Sequence, residues 1–70
     1  MIYKVSYVVQ GGKYPGGIKN EDQKPEVGGQ VKIGLKTFEI IELHEIMPAR
    51  GDFQFLHATV TPVENGNESE

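Results

Sequence analysis

The sequence predicts an all-β fold, a small and strongly bent sheet or half-open barrel of four to five strands with a long first loop and a disordered acidic C-terminal tail. Three observations predict it. Apolar side chains alternate with polar ones over residues 2–9 and again over 53–61, residues 30–47 read as two strands joined by a tight turn, and no stretch carries a 3.6-residue apolar stripe. At 70 residues the chain makes one domain, spanning 1–63, and a chain of that size hides only about 60% of the surface its unfolded form exposes. The core must therefore be thin. There is no cysteine to staple it and only two histidines to hold a structural metal, so stability must come from strand packing or from a partner subunit.

The first strand is the clearest. Tyr3, Val5, Tyr7 and Val9 fall on one face and Ile2, Lys4, Ser6 and Val8 on the other, the pattern of a half-buried strand rich in β-branched and aromatic residues. Residues 11–25, GGKYPGGIKNEDQKP, follow as a turn-rich insertion with almost nothing to bury. Within it Tyr14-Pro15-Gly16-Gly17 reads as a turn in which proline presets φ and glycine takes a positive value. Gln30–Ile33 then leads through Gly34-Leu35 into a long second strand over 37–47, a hairpin in which Gly34 supplies positive φ. The apolar phase of that strand slips at Ile40-Ile41, which predicts a β-bulge or a strong bend that lets the strand serve two sides of a closed sheet. The repeat of Glu39, Glu42 and Glu45 imitates an amphipathic helix, but the β-branched content and the missing N-cap favour strand. Pro48–Asp52 is a turn by composition, and the last strand runs from Phe53 until Pro62 marks its end.

Val27-Gly28-Gly29-Gln30-Val31-Lys32-Ile33, with the return strand through Phe38 and Ile40, resembles the hairpin of SH3-like small β-barrels, where V-G-D-x-V-x-I enters a tight turn. Gly29 stands where those barrels carry Asp, so the side-chain bond that braces the turn is absent. The resemblance also extends to short bacterial-type chains. It implies a scaffold shared by ribosomal, RNA-binding and peptide-binding modules, and leaves function open.

Charge narrows the partners. The net charge of −3 arises in the tail, where Glu64, Glu68 and Glu70 meet no base, so residues 1–63 hold seven acids against seven bases. A neutral body lacks the basic field that dominates nucleic-acid affinity. The first residues lack a basic stretch followed by a long apolar run, and no run approaches the ~20 residues that span a bilayer. The expectation is a cytoplasmic protein with no membrane partner.

Chemistry-bearing motifs are few. Gly12 and Gly17 have phosphate-loop spacing, but Ile18 occupies the lysine position and Pro25 limits the helix that such a loop needs, which rules out nucleotide hydrolysis. His44 and Glu42 share a face, and His57 lies mid-strand, so the three form a nitrogen, nitrogen, oxygen set if the strands pair in the right register. No fourth ligand has a suitable spacing, so neither a metal nor any other cofactor is expected, and the histidines read as half-buried cross-strand residues. Without cysteine, and with Ser6, Thr37, Thr59 and Thr61 in strand patterns, no activated nucleophile stands out and no enzyme is expected. Arg50-Gly51-Asp52 reads as a charged turn, and Asn67-Glu68-Ser69 matters only on a secretory route.

The candidate binding residues are Lys13, Tyr14, Ile18, Lys19 and Lys24, the densest basic and aromatic group in the chain. Tyr14 and Ile18 either fold inward as a lid or face out as a protein-binding patch. The reading that follows is a noncatalytic binding or protein-interaction module, with self-association through the edge of the first or last strand included. The alternative is binding of RNA or single-stranded nucleic acid through the 13–24 loop, where an aromatic ring stacks on a base between lysines.

Overall fold

The computed structural model describes residues 1–12 and 14–63; Lys13 and the acidic tail, with its expected disorder, lie outside the described residues. It is all-β, a five-stranded, strongly curled half-barrel. The strands are β1 (Ile2–Val9), β2 (Gly17–Glu21), β3 (Gln30–Ile33), β4 (Lys36–Glu45) and β5 (Phe53–Pro62), with a short 3₁₀ turn at Gln10–Gly12 after β1. Their spatial order is β2-β1-β5-β4-β3. β1 runs parallel to β5, and the other neighbours are antiparallel.

Period-2 alternation decides what is buried. Val5, Tyr7 and Val9 of β1, Leu56, Ala58 and Val60 of β5, and Phe38 and Ile40 of β4 point into the concave side and form the core. Tyr3, Val31, Ile33 and Leu43 pack around it. Full burial of a side chain such as Leu56 or Phe38 contributes about 1.5–3 kcal/mol.

The insertion between β1 and the hairpin is partly a strand. β2 pairs antiparallel with β1 in the register Tyr3↔Glu21, Val5↔Lys19 and Tyr7↔Gly17. Its glycines also differ from expectation. Positive φ falls on Gly11 (85°) and Gly12 (70°), not on Gly16 or Gly17. Gly16 is required for space, because a Cβ there would run into the main-chain carbonyl of Tyr7.

The hairpin and bulge lie where the sequence places them, Gly34 having φ 64°. The β4·β5 register passes from Ile40↔Val60 to Glu42↔Thr59, leaving Ile41 as the inserted residue. Its effect differs from the expected service of two sides: the extra residue returns Leu43 to the concave side opposite Ala58, so Ile40 and Leu43 face the same core. The missing Asp at position 29 is replaced by main chain. Gly29 N donates to Glu26 O (2.9 Å) and Gly28 N, at φ 93°, donates to Ile40 O (2.8 Å).

One expectation is corrected by the topology. The first and last strands are interior, so neither offers an edge for self-association; the edges are β2 and β3. β1 and β5 became interior because β1 takes β2 on one side and β5 on the other, which uses both of its ladders.

The burial pattern sets a stability contrast. Leu56→Ala removes a fully buried side chain and should cost about 2–5 kcal/mol, a large part of the roughly 4–10 kcal/mol a domain of this length holds. Leu35→Ala, at a hairpin tip that is 97% exposed, should leave the urea midpoint unchanged. Gly16→Ala should also destabilise; an unchanged midpoint would show that the segment over Tyr7 yields freely.

Candidate functional site

The described members of the predicted binding group lie in separate places. Tyr14 leans over one end of the half-barrel, its ring edge-on to Phe38 at 6.0 Å between centroids and Lys36 Nζ 5.3 Å from its own centroid, and it remains 38% exposed. It covers the core end. Ile18 points the other way, onto the convex face beside Ser6, and is 61% exposed. Both residues are exposed, Tyr14 against the end of the core and Ile18 on the convex face.

Lys19 and Lys24 belong to the concave side. Lys19 lies opposite Val5 and sends its Nζ across the open seam of the half-barrel to donate to Lys32 O of β3 (2.9 Å). Lys24 Nζ reaches Glu45 Oε2 at 3.4 Å, tying the 22–29 loop to the end of β4. Both ends of that ion pair are about half exposed, so it adds little to stability. Between β2, β3 and the loop lies a cleft of about 490 Å³ that includes Tyr7, Lys19, Glu21, Lys24, Val31 and Lys32.

Tyr7 forms part of its floor. The ring is buried, and the hydroxyl donates to Glu21 Oε2 at 2.9 Å. Burial, and then the hydrogen bond and negative charge of Glu21, push the phenol pKa well above its ordinary value. The neutral phenol is thereby part of the folded state.

The convex face carries what sequence reading passed over. Alternation and register place Ile2, Lys4, Ser6 and Val8 of β1 there beside Phe53, Phe55, His57 and Thr59 of β5. Beyond β5, Ile46 N donates to Phe55 O and His44 lies directly opposite His57. One corner is apolar: Ile2 pairs with Phe53, Ile46 adjoins Phe55, and Ile2, Ile46 and Phe53 are 50%, 53% and 38% exposed. Met1 and Met47 continue it along the chain and are also exposed. The available signal was Ile2 and Val8 on the polar phase of β1, together with Phe53 and Phe55 on one phase of β5.

Arg50-Gly51-Asp52 is a tight turn at this corner, with paired main-chain hydrogen bonds between Arg50 and Phe53 (2.9 and 3.1 Å). Among the described residues no hydrogen bond joins a hydroxyl to an imidazole, and no three His, Cys, Asp or Glu side chains are gathered as a metal cage. No described helix is long and apolar enough to cross a membrane. Compared with known families, curated proteins and solved structures, the chain matches none.

The Tyr7 phenol generates a pH prediction. Its folded pKa is raised, so its contribution is complete below the unfolded value of about 10 and is lost as pH rises beyond it, when only the unfolded chain releases the proton. Urea unfolding at pH 8, 10 and 11 should show stability falling above about pH 10, and Tyr7→Phe should flatten that fall. Equal slopes in both proteins would remove Tyr7 as the cause.

Proposed function

We propose that this chain is a noncatalytic protein-interaction module whose contact surface is the apolar corner of the convex face. One observation carries the reading: Ile2 of β1, Phe53 of β5 and Ile46 just past the end of β4 stand exposed together at one end of the sheet, with methionines beside them. Exposed aliphatic, aromatic and methionine side chains at a single site mark protein contacts, because burying them on a partner releases the water they order. A second copy of the chain is the first partner to test, since a domain with so thin a core gains most from sharing apolar surface.

The half-barrel is proposed as SH3-like, on the strength of the Val27–Ile33 entry, the tight turn and the curl of the sheet; the parallel β1·β5 pair is the feature such an assignment must accommodate. A short bacterial-type chain in a cytoplasmic setting suits the absence of cysteine. The nucleic-acid alternative needs Lys13, Tyr14, Lys19 and Lys24 to act together. Tyr14 caps one end of the core, Lys19 spans the seam and Lys24 pairs with Glu45, so the interaction reading is preferred.

Sedimentation velocity and NMR dilution of the full chain test this. The expected result is concentration-dependent shifts confined to residues 1–2, 46–47 and 53–55, abolished in an Ile46→Lys, Phe53→Lys variant that keeps its amide spectrum elsewhere. Dilution shifts centred on β2 or β3, or none at all, would overturn the corner as a self-contact. Retention on heparin at low salt that Lys19→Gln and Lys24→Gln abolish would favour nucleic acid instead.

A further inference from the structure

We infer that the cleft between β2, β3 and the 22–29 loop binds a short zwitterionic peptide, of dipeptide size, that carries both a free ammonium and a free carboxylate. The site lies on the concave side, away from the apolar corner, and does not depend on the role proposed for that corner. At about 490 Å³ the cleft falls within the range of small-molecule sites, about 300–1,000 Å³. It is large enough for more than one amino acid.

Charge sets the class of ligand. Lys19, Lys24 and Lys32 border the cleft together with Glu21 and Glu26. Lys24 is held by Glu45 at 3.4 Å, and the two lysines and two glutamates that remain cancel. A cleft with both signs and no net charge favours a ligand of the same kind over a simple anion or cation. Each end of a zwitterion meets its opposite, and no second charge of the cleft is left covered and unpaired.

Two of these groups are fixed in advance. Glu21 Oε2 accepts a hydrogen bond from the Tyr7 hydroxyl at 2.9 Å, and Tyr7 is only 2% exposed. Among the described residues no hydrogen bond engages Glu21 Oε1. Lys19 Nζ donates to Lys32 O at 2.9 Å, which leaves two of the three ammonium donors for a ligand. Positions 19 and 21 lie on the same side of β2, so their Cα atoms stand roughly 6.6 Å apart. An extended dipeptide separates its ammonium nitrogen from its carboxylate carbon by about 6 Å, whereas a single amino acid carries both on one carbon. The ligand's ammonium is assigned to Glu21 and its carboxylate to Lys19. Pro25 and Val31, both half-buried in the cleft wall, offer apolar cover for its side chains. Because both charged groups are already held by bonds within the fold, less freedom is lost on binding.

The test titrates the full-length chain with leucyl-leucine, read by amide NMR shifts and calorimetry, beside N-acetyl-leucyl-leucine, leucyl-leucine amide and free leucine. The expected result is saturable one-to-one binding at millimolar concentration, with shifts confined to Tyr7, Ile40 and residues 19–31. Blocking either terminus, or shortening the ligand to leucine, should weaken binding about tenfold or more. Glu21→Gln keeps an acceptor for the Tyr7 hydroxyl, and it should weaken leucyl-leucine about as much as acetylation does while leaving the acetylated ligand unaffected. Lys19→Gln should have the matching effect at the carboxylate end. The blocked ligands probe the charges in the unaltered chain, so the outcome does not hang on either variant folding. The inference is overturned if the blocked dipeptides bind as tightly as the free one, or if millimolar leucyl-leucine moves no signal of the cleft. Shifts centred on residues 1–2, 46–47 and 53–55 would overturn it as well, by placing the peptide's apolar side chains on the convex corner.

Discussion

Everything in this fold depends on β5 lying between β1 and β4. It pairs with β1 along Ile2↔Phe53 to Val9↔Val60 and with β4 from Glu45↔Leu56 to Phe38↔Pro62, so both of its ladders are occupied over nearly its full length. Its concave residues Leu56, Ala58 and Val60 are completely buried. Among the described residues there is one layer of sheet and no α-helix to lay on it. The only way to remove those side chains from water is to curl the sheet over them. The parallel pairing of β1 with β5 then dictates the connection. Parallel neighbours cannot be joined by a tight turn, and the intervening chain spends its length as β2, β3 and β4, which supply the curled flanks.

The curl brings the two edges near each other without joining them. Gly17 sits against Ile33 at one end of the seam, Lys19 spans the middle by its hydrogen bond to Lys32 O, and the 22–29 loop crosses the other end. A lysine amine on a main-chain carbonyl of an edge strand does two things. It satisfies an acceptor that a neighbouring strand would otherwise seek, and it puts a charge where an added strand would have to lie. With strands of five and four residues, both edges are short as well as guarded. Association by strand addition is disfavoured by these two edges.

How much of this was legible follows from which forces are local. β1, the 30–47 hairpin, the bulge and β5 announce themselves because a half-buried strand writes its burial as alternation, and the slip at Ile40-Ile41 is alternation interrupted. β2 did not, since Gly17-Ile18-Lys19-Asn20-Glu21 has a single large apolar residue and that one faces outward. Its strand character comes from the ladder with β1, a partner that composition does not reveal. The same limit applies to the candidate site. Lys13, Tyr14, Ile18, Lys19 and Lys24 are neighbours in sequence, yet period 2 sends Ile18 and Lys19 to opposite faces, and Tyr14 rests its ring against Phe38 at one end of the core. The apolar corner, by contrast, joins residues about fifty positions apart, visible only once β1 and β5 are known to be parallel.

The bulge at Ile41 shows how one residue can divide structure from surface chemistry. Upstream of it the concave side of β4 holds Phe38 and Ile40; downstream, an uninterrupted strand would turn Glu42 and His44 toward Ala58 and Leu56. Burying that carboxylate and imidazole against fully buried aliphatic neighbours would cost several kcal/mol unless each found a partner, and Leu43 would be left on the convex face. Inserting one residue reverses all three placements. Leu43 joins the core, Glu42 and His44 reach solvent, and His44 meets His57 across the strand pair. The core requirement alone is enough to select the bulge, since it exchanges two polar groups for one leucine. The histidine pair is then the geometric consequence of a register that packing demands, which is why its position is fixed by the fold even though neither ring contributes to holding the core together.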